Sequence, residues 1–569
     1  MNRRSLFSTV IVLLLSIDVS AEFADTVLVN GDFYTSNERS PWASAVAIVG
    51  NRIAFVGSDD DVATFIGKDT RKYDLGGRLV LPGLIDAHTH PGMVAISVGR
   101  VGIEYVNDKE SLLQEVARMV EKNPDRDVLM GGYWDNDIFD ERGPQKTDLD
   151  RIEPDRPVIL YDYWAHSVWA NSKALEMAGV DRNTKDIVPG FSFFRRDENG
   201  DPSGWITESA ASVFVNNFQS VTPAVEQNLA EFLNYLRSLG VMTLLDAGNF
   251  GLDDQTYAAI SRLDKAGKLP LRYHGTFTLF LPKDYSTAID QLKELNRKYG
   301  SERVRIDTLK IFNDGVIETR TADMFDDYLD TPGNSGGSLL NQEQLHQLIL
   351  DLSEEGFNLH VHSVGNKSTN TLLNAVEQAH DTLSGPPPIT ISICHLEVVR
   401  ETDFNRFKDL GVIASFTPHW HSGYSDGGLE PVIGNAAYSM MRAQPMISDD
   451  AVVTFSSDIT TESEWKDDSA NPYLGMQVGH NRQGIEGGAD APYSPPRSER
   501  IRLDALVDGY TRHGAVALGR SDELGSIEVG KRADFVVLNQ NLFEVNRYDV
   551  HRTRPVAVIM DGEIVEGDL

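Results

Sequence analysis

The feature that most restricts how this chain can fold is a series of eight short apolar runs separated by helical stretches. Apolar runs that alternate with helices are typical of a parallel sheet covered by helices on its outside. The eight predicted strands are residues 81–86, 241–246, 271–277, 304–312, 357–362, 391–395, 412–416 and 452–456. Eight such units predict an α/β protein with a (β/α)8 TIM barrel.

Short strands joined by tight turns occur at both ends of the chain. Gly50-Asn51 and Asp561-Gly562 are residue pairs that suit two-residue hairpin turns. Isolated hairpins are marginally stable, so we expect the two ends to pack together as a composite β-sandwich domain, residues 22–80 and 520–569, beside a barrel at 81–519. The interval between the first two barrel strands is too long for one helix, which predicts an inserted cap subdomain at about 99–238.

The first residues have the pattern of an export signal. Arg3 and Arg4 precede an apolar stretch and small residues that end at Ala21. We predict a signal peptide at 1–21, a periplasmic or secreted protein, and no stable membrane insertion after cleavage. The alternative, an uncleaved anchor, needs about 20 apolar residues, which is more than this stretch provides. The formal charge of -33 over 569 residues repels phosphate backbones, so we expect no nucleic-acid partner.

The strongest local motif is the His-x-His pair that follows the first predicted barrel strand. Asp86, His88 and His90 alternate along the chain, so their side chains point to the same side of an extended segment. Two imidazoles beside a carboxylate form a metal-ligand arrangement. The alternative is a pair of surface histidines, but the preceding apolar strand and the following Pro91-Gly92 favour ligands.

Three further polar residues follow apolar strands in the same way: His362, His395 and Asp458. In a barrel the carboxyl ends of the strands share one rim, where such folds assemble their sites. Each residue alone has a structural interpretation, as a hydrogen-bonded His or a helix-capping Asp, but their joint placement favours a metal site. Imidazole and carboxylate ligands suit Zn2+, with Mn2+ or Fe2+ as alternatives, and one or two ions per chain.

Other residues have weaker signals. Lys310 lies among apolar neighbours on a predicted strand, and its spacing favours an ordinary ion pair with Asp307, Asp314 or Glu318. His360 is a candidate hydrogen-bond partner for a metal-bound imidazole. Three residues of the insert either line a pocket or belong to the core of the insert: Trp134, Asp135 and His166. His419 and His421 either contact substrate or lie in a surface loop, and the surface loop is the favoured interpretation.

Several motifs together resemble the amidohydrolase superfamily, in its amidohydrolase-3 branch with YtcJ-like and formamide deformylase-like members. The matching segments are 81–90, 310–315, 361–365, His395, Ser457-Asp458 and 525–534. The resemblance implies that His88, His90 and Asp458 hold a buried metal, that His362 and His395 hold an outer one, and that a carboxylated Lys310 bridges them. It also implies that a metal-activated hydroxide attacks an amide carbonyl, with Asp458 as the general acid and base.

From these observations we expect an exported, metal-dependent amidohydrolase whose partner is a small-molecule amide with an N-acyl or N-formyl group. A metal-dependent esterase or lactonase is the alternative within enzymes, because the same chemistry cleaves a C–O bond. A non-catalytic small-molecule-binding or regulatory protein on the same fold is the alternative outside enzymes. A homodimer is a further expectation that the sequence leaves open.

Overall fold

The computed structural model describes residues 23–140, 142–423 and 428–569. The predicted signal peptide at 1–21 lies outside these residues. At the centre is a sheet of eight parallel strands, which confirms the predicted (β/α)8 barrel. In chain order the strands are β1 (Leu84–Thr89), β2 (Val241–Asp246), β3 (Arg272–Leu279), β4 (Val304–Phe312), β5 (Asn358–Ser363), β6 (Ile391–His395), β7 (Ile413–Phe416) and β8 (Val453–Phe455).

The seam between β8 and β1 closes the barrel just beyond the ends of the two strands. The amide of Asp458 donates to the carbonyl of His88 at 2.8 Å, and the amide of His90 donates to the carbonyl of Ile459 at 3.1 Å. Ser457 donates from its amide and its hydroxyl to the carboxylate of Asp86. The seam therefore brings into contact two residues that are 371 positions apart in the sequence, Asp86 and Ser457.

Helices surround the barrel and pack their apolar faces on it. The helices longer than six residues from Pro223 onwards are Pro223–Ser238, Asp253–Lys265, Ala288–Tyr299, Gln342–Glu355, Asn366–Leu383, Phe404–Leu410, Pro472–Asn481 and Leu503–Gly509. The shorter helices of this part are Glu430–Ile433, Gln444–Ser448, Glu462–Lys466 and Arg512–Ala517. None of the helices in the described part of the chain is long and apolar enough to cross a membrane.

The helix Pro223–Ser238 lies at the end of the predicted insertion. Thr222 caps its first turn and Pro223 occupies the first helical position, where a missing amide costs nothing. Its apolar face, with Leu229, Phe232 and Leu236, belongs to the barrel core. The apolar face of this helix therefore packs in the barrel core, and the bounds of the inserted subdomain, about 99–238, stay a prediction.

The inserted subdomain is built on one six-stranded sheet. In spatial order its strands are Phe194–Arg196, Pro202–Thr207, Ser167–Ala170, Val158–Asp162, Leu129–Trp134 and Val101–Gly102. Its helices, together with the one that joins it to β1, are Pro91–Ser97, Lys109–Lys122, Lys146–Asp150, Ser172–Ala178 and Ser212–Phe218. Separate apolar clusters cover the two faces of the sheet, so this cap has its own core.

Two further sheets lie at the ends of the chain: the four-stranded one comes from the N-terminal segment alone, and the six-stranded one combines strands from both ends. One has the order Arg52–Gly57, Ala45–Val49, Thr26–Val29 and Arg71–Asp74; the other has the order Glu563–Gly567, Pro555–Met560, Phe535–Leu538, Leu79–Pro82, Asp32–Tyr34 and Trp42–Ala43. Residues from both ends share one apolar cluster between the sheets. The predicted first barrel strand began at Leu81, but the strand Leu79–Pro82 pairs with Phe535–Leu538, and β1 starts only after Gly83.

A buried ion network joins β3 to this terminal domain. Arg272, whose side chain is 3% exposed, donates to Asp534 at 2.6 Å and to Asp561 at 2.6 Å. Arg532 adds a second cation to Asp561 at 2.7 Å. Each charge has an opposite partner at hydrogen-bond distance, which is the condition under which buried charges are tolerated.

Candidate metal centre

Three buried side chains meet at the barrel seam. The Nε2 atoms of His88 and His90 are 3.3 Å apart, and each lies 3.4 Å from Oδ1 of Asp458. Four-coordinate zinc with Zn–N bonds of about 2.0–2.1 Å separates neighbouring ligand atoms by about 3.3–3.4 Å. The spacing of these three atoms therefore fits one face of a tetrahedral metal site.

His362 and His395 lie beside this group, and each keeps an uncommitted ring nitrogen. His362 directs Nε2 to the carbonyl of Gly315 at 3.2 Å, and its Nδ1 is buried without a hydrogen-bond partner among the described residues. His395 has Nδ1 3.4 Å from Oδ2 of Asp458, and its buried Nε2 likewise has no partner in the described chain. Unpartnered buried polar atoms are costly, and a bound cation would satisfy them.

The backbone at two of these positions is in the left-handed region. His395 has φ of 75° and Asp458 has φ of 48°. Residues other than glycine adopt such angles at a cost, and surrounding structure must hold them there. The indole of Trp420 stacks on His395 at 5.7 Å, and Phe312 stacks on His362 at 5.1 Å, so aromatic side chains fix the imidazoles from their outer faces.

Lys310 is fully buried, and the structure corrects the interpretation of it as an ion-paired lysine. Within the described chain no carboxylate lies within salt-bridge distance of its Nζ, and Asp307, Asp314 and Glu318 are not its partners. Instead Nζ lies 3.4 Å from Nε2 of His88 and 4.4 Å from the centre of the Phe312 ring. Burial lowers the pKa of the ammonium group, which favours the neutral amine.

Other side chains orient the imidazoles. His360 contacts Nδ1 of His88 through Nε2 at 2.9 Å, and its own Nδ1 lies 2.6 Å from the hydroxyl of Ser392. Such contacts fix the ring tautomer so that the opposite nitrogen faces the site. The carboxyl of Asp86 accepts from Ser457, and burial raises the pKa of Asp86 to about 6. Ser392 was not predicted from the sequence; its alternation with Cys394 on β6 is the signal that places both on one face of the strand.

The cap supplies one polar pair to the same region. Nδ1 of His166 lies 2.7 Å from Oε2 of Glu208, and the His166 ring centre is 5.5 Å from that of His362. Oε1 of Glu208 accepts from the hydroxyl of Thr321 at 2.6 Å. Burial disfavours the imidazolium, but Glu208 and then Asp162 outweigh burial and raise the pKa of His166 to about 9. Glu208 was not predicted from the sequence, although it directly follows a cap strand, Pro202–Thr207, as Asp458 follows a barrel strand.

Four other candidates are not among the candidate ligand atoms, although His419 packs against Trp420, which stacks on His395. Trp134 is in the cap core, with its indole donating to Leu160, and Asp135 caps a short helical turn. His419 and His421 belong to the 3-10 helix Pro418–Ser422. The prediction of a surface loop is wrong for His421, which is 1% exposed and packs edge-on against the ring of Phe416 at the end of β7.

Comparisons with known proteins agree with this architecture. Residues 71–566 match the model of the amidohydrolase family. The exoenzymes regulatory protein AepA of Pectobacterium carotovorum is 31% identical over 74% of this chain and 91% of its own length. The N-substituted formamide deformylase of Arthrobacter pascens is 26% identical over 95% of this chain and 98% of its own length.

Among solved structures, an uncharacterized metal-dependent hydrolase from Pyrococcus furiosus superimposes with a TM-score of 0.65. It shares 25% identity, and the match covers 91% of this chain and all of that one. The family match extends from the terminal domain through the barrel and back, so it includes every candidate ligand described above. The chain belongs to the amidohydrolase family, in its amidohydrolase-3 branch.

Proposed function

We propose that this protein is a metal-dependent hydrolase that cleaves the C–N bond of a small N-acyl or N-formyl amide. The observation that carries the proposal is the tetrahedral spacing of His88, His90 and Asp458 at the barrel seam. Two similar proteins support it by their names, one a metal-dependent hydrolase and the other a formamide deformylase. We further propose export to the periplasm or medium, on the basis of the N-terminal signal pattern.

The ligand sets follow from the geometry. His88, His90 and Asp458 would hold one divalent ion, with Zn2+ expected first and Mn2+ or Fe2+ as alternatives. Nδ1 of His362 and Nε2 of His395 would serve a second ion. Burial lowers the pKa of the Lys310 ammonium group, which makes Lys310 the residue that would carry a carbamate. A bound divalent ion supplies a water of lowered pKa and polarises a carbonyl oxygen.

The chain's own part of the reaction centres on Asp458. Its Oδ1 faces His88 and His90, and its Oδ2 faces His395, so the carboxylate lies between the two ligand sets. We assign it the transfer of a proton from the attacking water to the leaving nitrogen. Trp420 and Phe312 stack on the imidazoles of His395 and His362, both of which are buried, and burial strengthens electrostatic interactions in the site.

A regulatory function is the second candidate, because the 31% identical relative is named a regulatory protein. A protein that binds a small molecule without turnover has no need for a proton-transferring carboxylate among its ligands. The two functions are separated by whether Asp458 is required for catalysis or only for binding. An esterase or lactonase activity would use the same residues on a C–O bond.

The test is amine release from a panel of N-formyl, N-acetyl and longer N-acyl amines by the mature protein. The assay runs on protein as isolated, after treatment with dipicolinate, and after zinc or manganese is added back. We expect chelator-sensitive turnover that the metal restores, and a loss of at least about 100-fold in Asp458→Asn. His346→Ala is the matched control, because His346 contacts Thr382 on the outer helices.

Different results would point elsewhere. Turnover of esters alone, by metal-loaded protein, would replace the amide with a C–O bond. Protein that carries about two metals per chain and turns over neither class would favour the regulatory function. An Asp458→Asn variant that retains its metals and its full rate would remove the proton-transfer role of this carboxylate.

A further inference from the structure

His166 stands apart from the other histidines of the site because the cap, not the barrel, provides it. It precedes the cap strand Ser167–Ala170, while its ring lies 5.5 Å from that of the β5 residue His362. Nδ1 is engaged by Glu208 at 2.7 Å, so Nε2 is the ring nitrogen that remains for another partner. The side chain is 15% exposed, so the ring is mostly buried and partly accessible.

Glu208 anchors this ring to the barrel. One carboxylate oxygen engages His166, and the other accepts from Thr321, in the loop that follows β4. The same loop contains Gly315, whose carbonyl accepts from Nε2 of His362. The loop after β4 therefore contacts both rings: it binds His362 directly through the Gly315 carbonyl, and it binds His166 through Glu208. These contacts fix the positions of the two rings relative to each other.

The fit of Glu208 depends on the missing side chain at position 315. A Cβ on Gly315 would lie 2.3 Å from Oε1 of Glu208 and 2.0 Å from Oγ1 of Thr321. Both distances are far below an ordinary contact, so only glycine at this position lets the cap carboxylate approach the loop. The cap and the barrel are thus closely packed where Glu208 meets Gly315 and Thr321.

We propose that His166 is a catalytic residue contributed by the cap, which forms a hydrogen bond through Nε2 to the amide group of a substrate bound beside His362. Glu208 is its positioning residue, because a carboxylate accepts only and thus fixes the proton on Nδ1 of His166. The proposal rests on the proposed function in one respect, that the ligand is an amide. The alternative is that the pair only ties the cap to the barrel.

The experiment separates these roles with a ligand that needs no turnover. Acetohydroxamate, an amide analogue that chelates zinc, is titrated calorimetrically into zinc-loaded wild type, His166→Ala, His166→Gln, Glu208→Gln and the control His346→Ala. Zinc per chain, thermal unfolding, kcat and KM are measured on the same samples. We expect His166→Ala to bind acetohydroxamate about 10- to 100-fold more weakly at unchanged zinc content. His166→Gln, which keeps a polar group near the position of Nε2, should recover part of the affinity.

Each result has a defined meaning. His166→Ala with the affinity and kcat/KM of His346→Ala overturns the proposal, and a fall in unfolding temperature alone assigns the pair to cap attachment. If His166→Ala does not fold, the comparison between His166→Gln and wild type decides in the same way. Wild type that turns over no amide yet binds acetohydroxamate through His166 refutes the amide hydrolase and keeps the contact. Wild type that does neither overturns both.

Discussion

The close packing around Gly315 makes Gly315→Ala the sharpest perturbation of the site. The added Cβ would lie 2.0 Å from Oγ1 and 2.6 Å from Cβ of Thr321, and 2.3 Å from Oε1 of Glu208. Carbon atoms in contact are separated by about 3.5–4.0 Å, so the neighbours must retreat by more than about 1 Å. Thr321 is itself held by Thr319 at 2.6 Å, which leaves Glu208 as the group that moves.

Two effects of this substitution can be estimated. Overpacking of this kind costs about 1–3 kcal/mol of the free energy of unfolding. Displacement of Glu208 also breaks its 2.7 Å contact with His166, so kcat/KM should fall about as far as in His166→Ala. Because both variants remove the same interaction, the double variant should fall no further than either single one.

The assay measures kcat/KM, zinc per chain and thermal unfolding of Gly315→Ala beside Gly102→Ala. Gly102 is a fair control because it lies in a cap strand, and nothing approaches the position of its Cβ within 4 Å. Full kcat/KM in Gly315→Ala would refute the reasoning. Loss of zinc from Gly315→Ala would also contradict the reasoning. The substitution would then act by displacing the Gly315 carbonyl from His362, and not by displacing Glu208 from His166.

Three other substitutions test separate parts of the molecule. Lys310→Ala should lower the metal content to at most one ion per chain, with partial return on addition of a short carboxylic acid; two ions retained would exclude a bridging role. Arg272→Met should lower the free energy of unfolding in urea by about 3–5 kcal/mol, because it leaves Asp534 buried without its cation, and an unchanged midpoint would contradict this. Burial raises the pKa of Asp253 to about 7, above the value of about 3.9 of an unfolded chain, so the protein loses stability as the pH rises between these values. Asp253→Asn should therefore be more stable than wild type at pH 8, by on the order of a few kcal/mol, with the advantage gone near pH 4; thermal unfolding that shows no such dependence on pH would count against the shift.

The barrel was predictable from sequence because its signals are local. Each strand is an apolar run, and the polar residue at its carboxyl end marks the rim, so His362 and His395 could be placed before any coordinates. The start of β1 was predicted less well, since one apolar run from Leu79 to Thr89 serves two sheets and changes from one to the other at Gly83. Hydrophobic periodicity reports burial and not the identity of the sheet that provides it.

Contacts between distant segments were beyond sequence reasoning. Lys310 had three carboxylates within eight residues, and spacing alone favoured an ion pair; the direction of its side chain into the barrel, which the fold determines, removes all three. The His166–Glu208 pair spans 42 residues, and its link to Thr321 spans 113. Neither pairing follows from periodicity, because both depend on how the cap meets the barrel.

The seam of the barrel explains why the ligands come from opposite ends of the barrel sequence. β8 and β1 are bridged by the backbone contacts of Asp458 with His88 and of His90 with Ile459, and three of these four residues, all but Ile459, present the spaced ligand atoms. The left-handed backbone of Asp458 is what allows its amide to reach across the seam while its carboxylate faces the imidazoles. Barrel closure and assembly of the ligand set are therefore one structural event. A cation bound only by the closed seam would stabilise the folded barrel over any opened form by mass action, so the site that we propose for chemistry would also stabilise the barrel.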